Sequence, residues 1–532
     1  MSARKENGKP EISRRELLKL SGLALGGLAL GGVTGGARAD DTPADDPGSV
    51  CHRPSAYPPD QYSYFFGGNG QEGLDLFNPN TELEPNEMRI SFMGSTVPQF
   101  GRAQAYMSIF VEVGWVQDEY LLKKDPPELK YKAQDQFIFD CGTGCTANYS
   151  AMNVNFNRMD KVFLNHLHAD HMSDLSTIYT FGCSSDRKSP LFVFGPSPSG
   201  VRSPKPPRRL YDDGTKAFCR NLREAMRWHS ESFSFQPTAY ESYEPPTQHS
   251  WGLPCDPRPV GDDSIDDSYA MVPIELDWTK YGKRPGDNVA YHNRKTGVKI
   301  THFPVIHCRK GSIGYKLEWT TPDGTPMTMV YTSDTKPETM SIEQAKNYGP
   351  RGVAKGVDVF IHEMAIPPEI WSMKNLGLTS PPEDDPDWEE SVKKFEDVQN
   401  SSHTTQGAFG YLLSQIEPRP RLTVATHFPT TDDNVACALE SVRSHVPDVV
   451  VDKNNGNLVW SYDCMVLRVF PDRIEQLRAD VSDYTYAAYP AYTRYDILPP
   501  KYATSTDQLE LSTEIPPTDP DTGEYHYNSD GY

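Results

Sequence analysis

The run Asn165-His166-Leu167-His168-Ala169-Asp170-His171 places three imidazoles and a carboxylate within six positions. Imidazole nitrogen and carboxylate oxygen are the donors that a borderline divalent cation prefers. The run follows the strand-like stretch Lys161-Val162-Phe163-Leu164. Alternation along a strand would bring His166 and His168 to one face, where both grip one ion. Asp170 and His171 then fall on the following turn, placed to reach a second ion. With 14 His in 532 residues, three in six positions marks a metal site and not a polar loop.

Further ligands must come from distant segments, each a polar residue ending an apolar strand. His307 closes the stretch Val298 to Ile306, Asp334 ends Met327 to Ser333, and His427 ends Leu422 to Thr426. Any one of these alone is as readily a satisfied structural residue. Taken in order behind the cluster, they form a pattern.

That pattern resembles the metallo-β-lactamase superfamily, within it the branch holding ribonuclease Z and a group of arylsulfatases. The resemblance runs from about Met88 to Phe470. It includes Ile90-Ser91-Phe92-Met93-Gly94-Ser95, Phe139-Asp140-Cys141-Gly142-Thr143-Gly144 and Leu191-Phe192-Val193-Phe194-Gly195-Pro196. It implies an α/β fold, the four-layer αββα sandwich, with Asp140 as a structural aspartate beneath the metals. It also implies one cation on His166, His168 and His307 and another on Asp170, His171 and His427, with Asp334 bridging. A water shared by two such ions is acidified enough to be hydroxide at neutral pH, and Asp170 is placed to steer it. Zinc suits His-rich ligation best, and the donor types also admit manganese or iron.

Two further motifs, Val359-Phe360-Ile361-His362-Glu363 and Ser402-His403-Thr404-Thr405, are similar to the branch's paired glutamate and histidine motifs. There the carboxylate orients an imidazole that donates a proton to the leaving oxygen. Expelling an alkoxide or phenoxide needs such a donor. The bland alternative makes Glu363 an ordinary strand-end acid and His403 a neighbour of a helix cap. His362 is expected to face the other way and be structural.

Alternating apolar runs must position these groups. Strands are expected near Phe137–Asp140, Lys161–Leu164 and Val357–Ile361, and helices near Thr404–Ser414 and Asn434–His445. Around the hydrolase domain of 88–470, residues 40–87 read as a lead-in arm, 236–269 as an acidic, proline-rich insert, and 471–532 as a C-terminal extension. No internal repeat is evident. An odd count of nine cysteines precludes complete intramolecular pairing. Free buried thiols are one reading, and a disulfide from Cys51 to a core cysteine stays open.

Residues 1–39 carry Ser13-Arg14-Arg15-Glu16-Leu17-Leu18-Lys19, a glycine-diluted apolar run and Ala37-Arg38-Ala39. This resembles a twin-arginine signal peptide, with periplasmic or extracellular delivery by that machinery. The apolar run falls short of the roughly 20 residues a stable membrane span needs. Losing its seven Lys/Arg and three Asp/Glu would take the net charge from −21 to −25. Ribonuclease Z-like enzymes dock tRNA through a basic arm, whereas the insert at 236–269 is acidic. Nucleic acid is therefore an unlikely partner, since its binding leans on neutralised phosphates. A small-molecule ester, phosphodiester or aryl sulfate, is the expected substrate. Lactone or lactam hydrolysis is the alternative chemistry, and non-catalytic metal binding the alternative class.

Overall fold

A computed structural model describes residues 74–481, apart from 99–103, 115, 118–130, 233–242, 282–285, 350–351 and 431. The chain divides into compact units at Thr485, and all described residues belong to the first. The twin-arginine segment, Cys51 and the tail beyond 481 lie outside them.

Strands in the first half are β1 (Asp75–Phe77), β2 (Met88–Gly94), β3 (Ser108–Val113), β4 (Val116–Gln117), β5 (Tyr131–Lys132), β6 (Asp135–Phe139), β7 (Lys161–Phe163), β8 (Leu191–Pro196) and β9 (Met271–Leu276). Those in the second are β10 (Val289–Asn293), β11 (Val298–Pro304), β12 (Ile313–Thr320), β13 (Pro326–Tyr331), β14 (Val359–Glu363), β15 (Leu422–Thr426), β16 (Leu458–Trp460), β17 (Met465–Val469) and β18 (Ile474–Ala479). One sheet has the order β1-β18-β17-β2-β3-β6-β7-β8-β9, the other runs β10 to β16 in sequence, and β4 pairs with β5.

Helices are α1 (Cys145–Ala151), α2 (Ala169–Met172), α3 (Leu175–Ser184), α4 (Thr215–Ala225), α5 (Arg227–Ser232), α6 (Thr339–Lys346), α7 (Pro368–Leu376), α8 (Pro386–Ser402), α9 (Gln406–Ser414) and α10 (Asp432–Arg443).

Period-two alternation builds the layers. In the larger sheet Ile109, Val111, Phe137, Phe139, Phe192 and Phe194 face the second sheet's residues in one core. The intervening Phe110, Ile138 and Val193 pack against α1 and α3 through Cys145, Tyr149, Leu175 and Ile178. On the far side, strands β13 to β16 are covered by α6, α7, α9 and α10 through Ala345, Ile370, Phe409, Leu412 and Leu439. These strands are buried on both faces, so they read as continuous apolar runs without alternation. The result is the expected four-layer α/β sandwich.

The sheet extends beyond 88–470 at both ends. β1, from the lead-in arm, pairs in parallel with β18, from the C-terminal extension. Three residues and a polar hairpin carry too little periodicity for this to be read in advance. The described part of the insert, 243–269, has neither helix nor strand. No helix among the described residues is long and apolar enough to cross a membrane. Cys141, Cys145, Cys183, Cys219 and Cys464 are buried free thiols and Cys255 and Cys308 exposed ones, whereas Cys437 is disulfide-bonded.

Strands β6 to β9 run parallel, as do β13 to β16, and β11 points the same way as β13 through its antiparallel neighbour β12. Carboxyl ends of such strands present loops without side-chain crowding from the sheet, which is where α/β folds build sites. The candidate ligands follow β7, β11, β13 and β15.

Candidate metal centre

β7 ends at Phe163, so His166 and His168 lie beyond the strand and not on one of its faces. They converge because the chain bends at Asn165 and His166 after β7 and reaches His168 (φ −76°, ψ 150°), the N-cap of α2. Their ring centroids are 4.6 Å apart. One turn of α2 then buries Asp170 and His171.

Three donor groups form. His166, His168 and His307 make one, Asp170, His171, Asp334 and His427 a second, and Asp334, Glu363, His403 and His427 a third; ligand atoms within each lie within 4.8 Å of one another. All seven residues read from the sequence as ligands are thus brought together. Asp334 spans the groups: Oδ1 is 3.4 Å from His171 Nε2 and 3.6 Å from His427 Nδ1, while Oδ2 is 3.7 Å from His307 Nε2. Asp170 Oδ2 lies 3.3 Å from His171 Nε2 and 3.2 Å from His427 Nε2.

The chemistry of the set fits cations. His307 Nδ1 donates to the Ser402 carbonyl oxygen at 2.9 Å, leaving Nε2 unprotonated and facing His168 Nδ1 at 3.1 Å. Burial holds His307 down at about 4, and burial together with neighbouring imidazoles lowers His166 and His168. At neutral pH these rings are therefore uncharged, each with one N–H and one bare nitrogen that can ligate a cation. Among the candidate ligands, five buried atoms lack hydrogen-bond partners: both ring nitrogens of His166, His171 Nε2, Asp334 Oδ1 and His427 Nδ1. Each such orphan costs about 1–3 kcal/mol, and one nitrogen of each imidazole can be satisfied by a metal. Burial opposes ionisation of Asp170 and Asp334, yet the surrounding imidazoles hold both well below the usual carboxylate range. His171 is raised well above its ordinary value, because Asp334, Asp170 and Asp140 outweigh its burial.

Asp140 supports this arrangement from beneath. Its Oδ2 accepts from His171 Nδ1 at 2.9 Å, Tyr331 Oη at 2.8 Å and Ser333 Oγ at 3.2 Å, while Oδ1 accepts the Asn165 backbone N–H at 3.0 Å. One carboxylate thus fixes His171 so that Nε2 points to the metals, and ties β6, β7 and β13 together. Asp140, Ser333 and His427 all have φ near +55° (57°, 55° and 54°). Such sharp turns at strand ends are strained for non-glycine residues and persist where packing enforces them. Outer-shell changes of this type cost 10–100-fold in metal affinity. Asp140→Asn is accordingly expected to weaken metal binding by about that factor, checked by competition with a chromogenic chelator.

Gly142 is required by close approach. A Cβ there would sit 2.0 Å from the Asp170 carbonyl oxygen and 2.6 Å from Tyr106 Cβ. Gly142→Ala must push α2 away, so we expect about 1–3 kcal/mol of lost stability together with weaker metal binding. Unchanged melting temperature and metal content would contradict this.

Glu363, the last residue of β14, is fully buried. Its Oε1 accepts the Thr335 backbone N–H, and its Oε2 accepts from His403 Nδ1 at 2.7 Å. His403 follows α8 as its C-terminal cap, with α9 starting three residues later. Its ring stacks over His427 at 5.9 Å. Burial disfavours charge on both partners. It raises Glu363, while the Glu363 carboxylate overrides it in His403 and lifts that imidazole to about 9. Alternation turns His362 away from the site, toward Phe409 of α9 at 5.7 Å, with Nδ1 donating to the Glu363 carbonyl at 2.7 Å.

Sequence reasoning missed Tyr331, Ser333, Thr335 and Ser402. A tyrosine ending a strand looks like core, and Thr335 and Ser402 act through backbone groups that any residue carries.

No family model matches the chain. Over 62 residues it is 36% identical to the ribonuclease Z of Treponema denticola, covering 12% of this chain and 20% of that relative. It is 34% identical over 64 residues to the ribonuclease Z of Borreliella burgdorferi, covering 12% and 20%. The chain thus spans about a fifth of the length of these curated relatives. Among solved structures, human short-form tRNase Z aligns with a TM-score of 0.35 and 13% identity over 71% of this chain and 98% of that one. The metallo-β-lactamase fold protein YhfI of Bacillus subtilis aligns with a TM-score of 0.38 and 13% identity over 72% and 100%.

Proposed function

We infer that this chain, of metallo-β-lactamase fold and related over part of its length to ribonuclease Z, is a metal-dependent hydrolase of small anionic esters. The bond cleaved is a phosphodiester or an aryl sulfate. The observation that carries this reading is the His403–Glu363 pair standing beside the metal ligands. A proton donor there suits a reaction with a poor leaving group, and an ester expelling an alkoxide or phenoxide needs one.

His166, His168 and His307 would hold one cation and Asp170, His171 and His427 the other, with Asp334 between them. Bound there, two divalent cations (zinc by ligand type) would supply an acidified water and a positive field for the charge that develops in the transition state. The chain's own residues do the rest. Glu363 takes the Nδ1 proton of His403 as a hydrogen bond and so sets the ring's orientation. The Nε2 proton is then free to pass to the departing oxygen. Asp170, buried and anionic, accepts a hydrogen bond from the attacking water and aims it.

An acid must be protonated before it acts, so activity is full below the pKa of His403 and falls as pH rises through it. The Glu363 carboxylate places that value at about 9, and nearby cations would draw it toward neutrality. The expected kcat profile therefore has an alkaline limb between neutrality and about 9. His403→Ala should lack the limb, and a limb unchanged in that variant would assign it elsewhere.

The twin-arginine segment supports export, and the buried free thiols suit a protein folded before translocation. The acidic composition argues against long polyanions, whose affinity rests on many phosphate contacts. Purified metal-loaded protein should turn over bis(nitrophenyl) phosphate or nitrophenyl sulfate and leave precursor tRNA uncut at physiological salt. Efficient site-specific tRNA cleavage would overturn this assignment.

A further inference from the structure

The chain is strongly acidic, yet residues 199–211 contain Arg202, Lys205, Arg208 and Arg209 and no Asp or Glu. This stretch joins β8 to α4 and is folded as a small hairpin. Arg202 and Leu210 form an antiparallel bridge, Ser203 N donates to Arg209 O at 2.9 Å, and Tyr211 N donates to Val201 O at 2.9 Å. The tip is closed by Arg208 N donating to Lys205 O at 2.9 Å. All four cationic residues are exposed.

The nearby acids are already engaged. Asp212 pairs with Arg220 at 2.8 Å and Asp213 with Arg309 at 2.6 Å. Among the described residues the four hairpin cations have no carboxylate in an ion pair. Four like charges on one short hairpin repel one another, and none is held in an ion pair among the described residues.

The hairpin is fastened to the loop that follows His307. Asp213 accepts from Ser199 N at 2.9 Å and Ser199 Oγ at 2.6 Å, which closes its base. Arg309, two residues after the candidate ligand His307, pairs with Asp213, approaches Ser199 Oγ at 3.4 Å and stacks over Tyr211 at 4.9 Å. The loop that carries a metal ligand and the hairpin that carries the charge are thus one connected piece.

We propose that the 201–210 hairpin is a cationic clamp for a second anionic group of the substrate. The substrate is then a small ester bearing at least two phosphate or sulfate groups, one cleaved at the metals and another held by the clamp. Naming an ester rests on the hydrolase reading above, whereas the binding function of the hairpin stands without it. A hairpin closed by backbone hydrogen bonds suits this role, because its backbone needs little further ordering when the anion arrives. Guanidinium and ammonium groups both pair with such oxyanions through charge-assisted hydrogen bonds.

The test compares metal-loaded full-length protein with R202Q/K205Q/R208Q/R209Q, using sucrose octasulfate as a weakly chelating multivalent probe and inorganic sulfate as a single anion. Calorimetry is expected to show octasulfate binding weakened at least about tenfold in the variant and a smaller salt dependence, with sulfate binding changed less than about twofold. The kcat for bis(nitrophenyl) phosphate should stay within about twofold. R202K/R208K/R209K should recover most octasulfate binding, which a merely structural role would not predict. Equal octasulfate affinity in wild type and the glutamine variant would overturn the proposal. So would a single-stranded oligonucleotide that binds the hairpin more tightly than octasulfate at physiological salt. Absence of ester turnover in wild type, with the octasulfate difference intact, would overturn the hydrolase reading and leave the clamp standing.

Discussion

Asp334→Ala is expected to empty both cation positions and abolish turnover, with a loss of at least about 1,000-fold, beyond the 10–100-fold typical of outer-shell changes. Asp334 faces His171, His307 and His427 at 3.4–3.7 Å, so a single carboxylate links imidazoles of both donor groups. Removing it leaves His171 opposed by fewer anions, and breaking a buried pair in this way costs about 3–5 kcal/mol. Because the alanine variant risks unfolding, Asp334→Asn provides the companion measurement. It keeps the volume while removing the charge, and should retain near-native circular dichroism but lose metal. A variant of either kind that keeps its metal and its activity would remove Asp334 from the bridging position.

His403→Ala is the second large effect, and its size should depend on the substrate. General acid catalysis contributes about 100- to 10,000-fold, and that contribution is needed in proportion to the basicity of the leaving oxygen. Alkyl esters should therefore lose rate across that range, whereas nitrophenyl esters, whose phenoxide leaves unaided, should lose about tenfold or less. Metal content should be unchanged, since the ring's Nδ1 is committed to Glu363 at 2.7 Å. Equal losses on both substrate types would make His403 a structural residue. Glu363→Gln should produce a milder version of the same pattern, because the amide still accepts the Thr335 N–H but no longer supports an imidazolium.

The cluster His166 to His171 was legible in the sequence because its information is local: four donors within one turn and a half of chain. His307, Asp334 and His427 were legible only in company. Each sits at the end of an apolar strand, and the strands are brought side by side by register that no short window encodes. The alternation of His362 and Glu363 on β14 needed only the period of a strand, and the structure keeps it. What was illegible is of two kinds. Support given by backbone carbonyls and amides, such as Ser402 O to His307 and Thr335 N to Glu363, has no residue signature. Pairing between elements hundreds of residues apart, such as β1 with β18, depends on closure of the whole sheet. The expectation that a strand would carry His166 and His168 failed for a related reason. β7 stops at Phe163, whose ring stacks on Phe194 at 4.2 Å, and the ligands are delivered by a bent loop and the first turn of α2 beyond it. The basic hairpin was hidden by averaging, because a net charge of −21 says nothing about where the positive residues gather.

His166, His168 and His307 would hold one cation and Asp170, His171 and His427 another, with Asp334 shared, which fixes a metal stoichiometry. Elemental analysis of the purified, metal-loaded full-length protein should give about two divalent ions per chain, with His168→Ala losing most of its metal and its activity. One ion per chain or none in the wild-type protein would rule out a two-cation site.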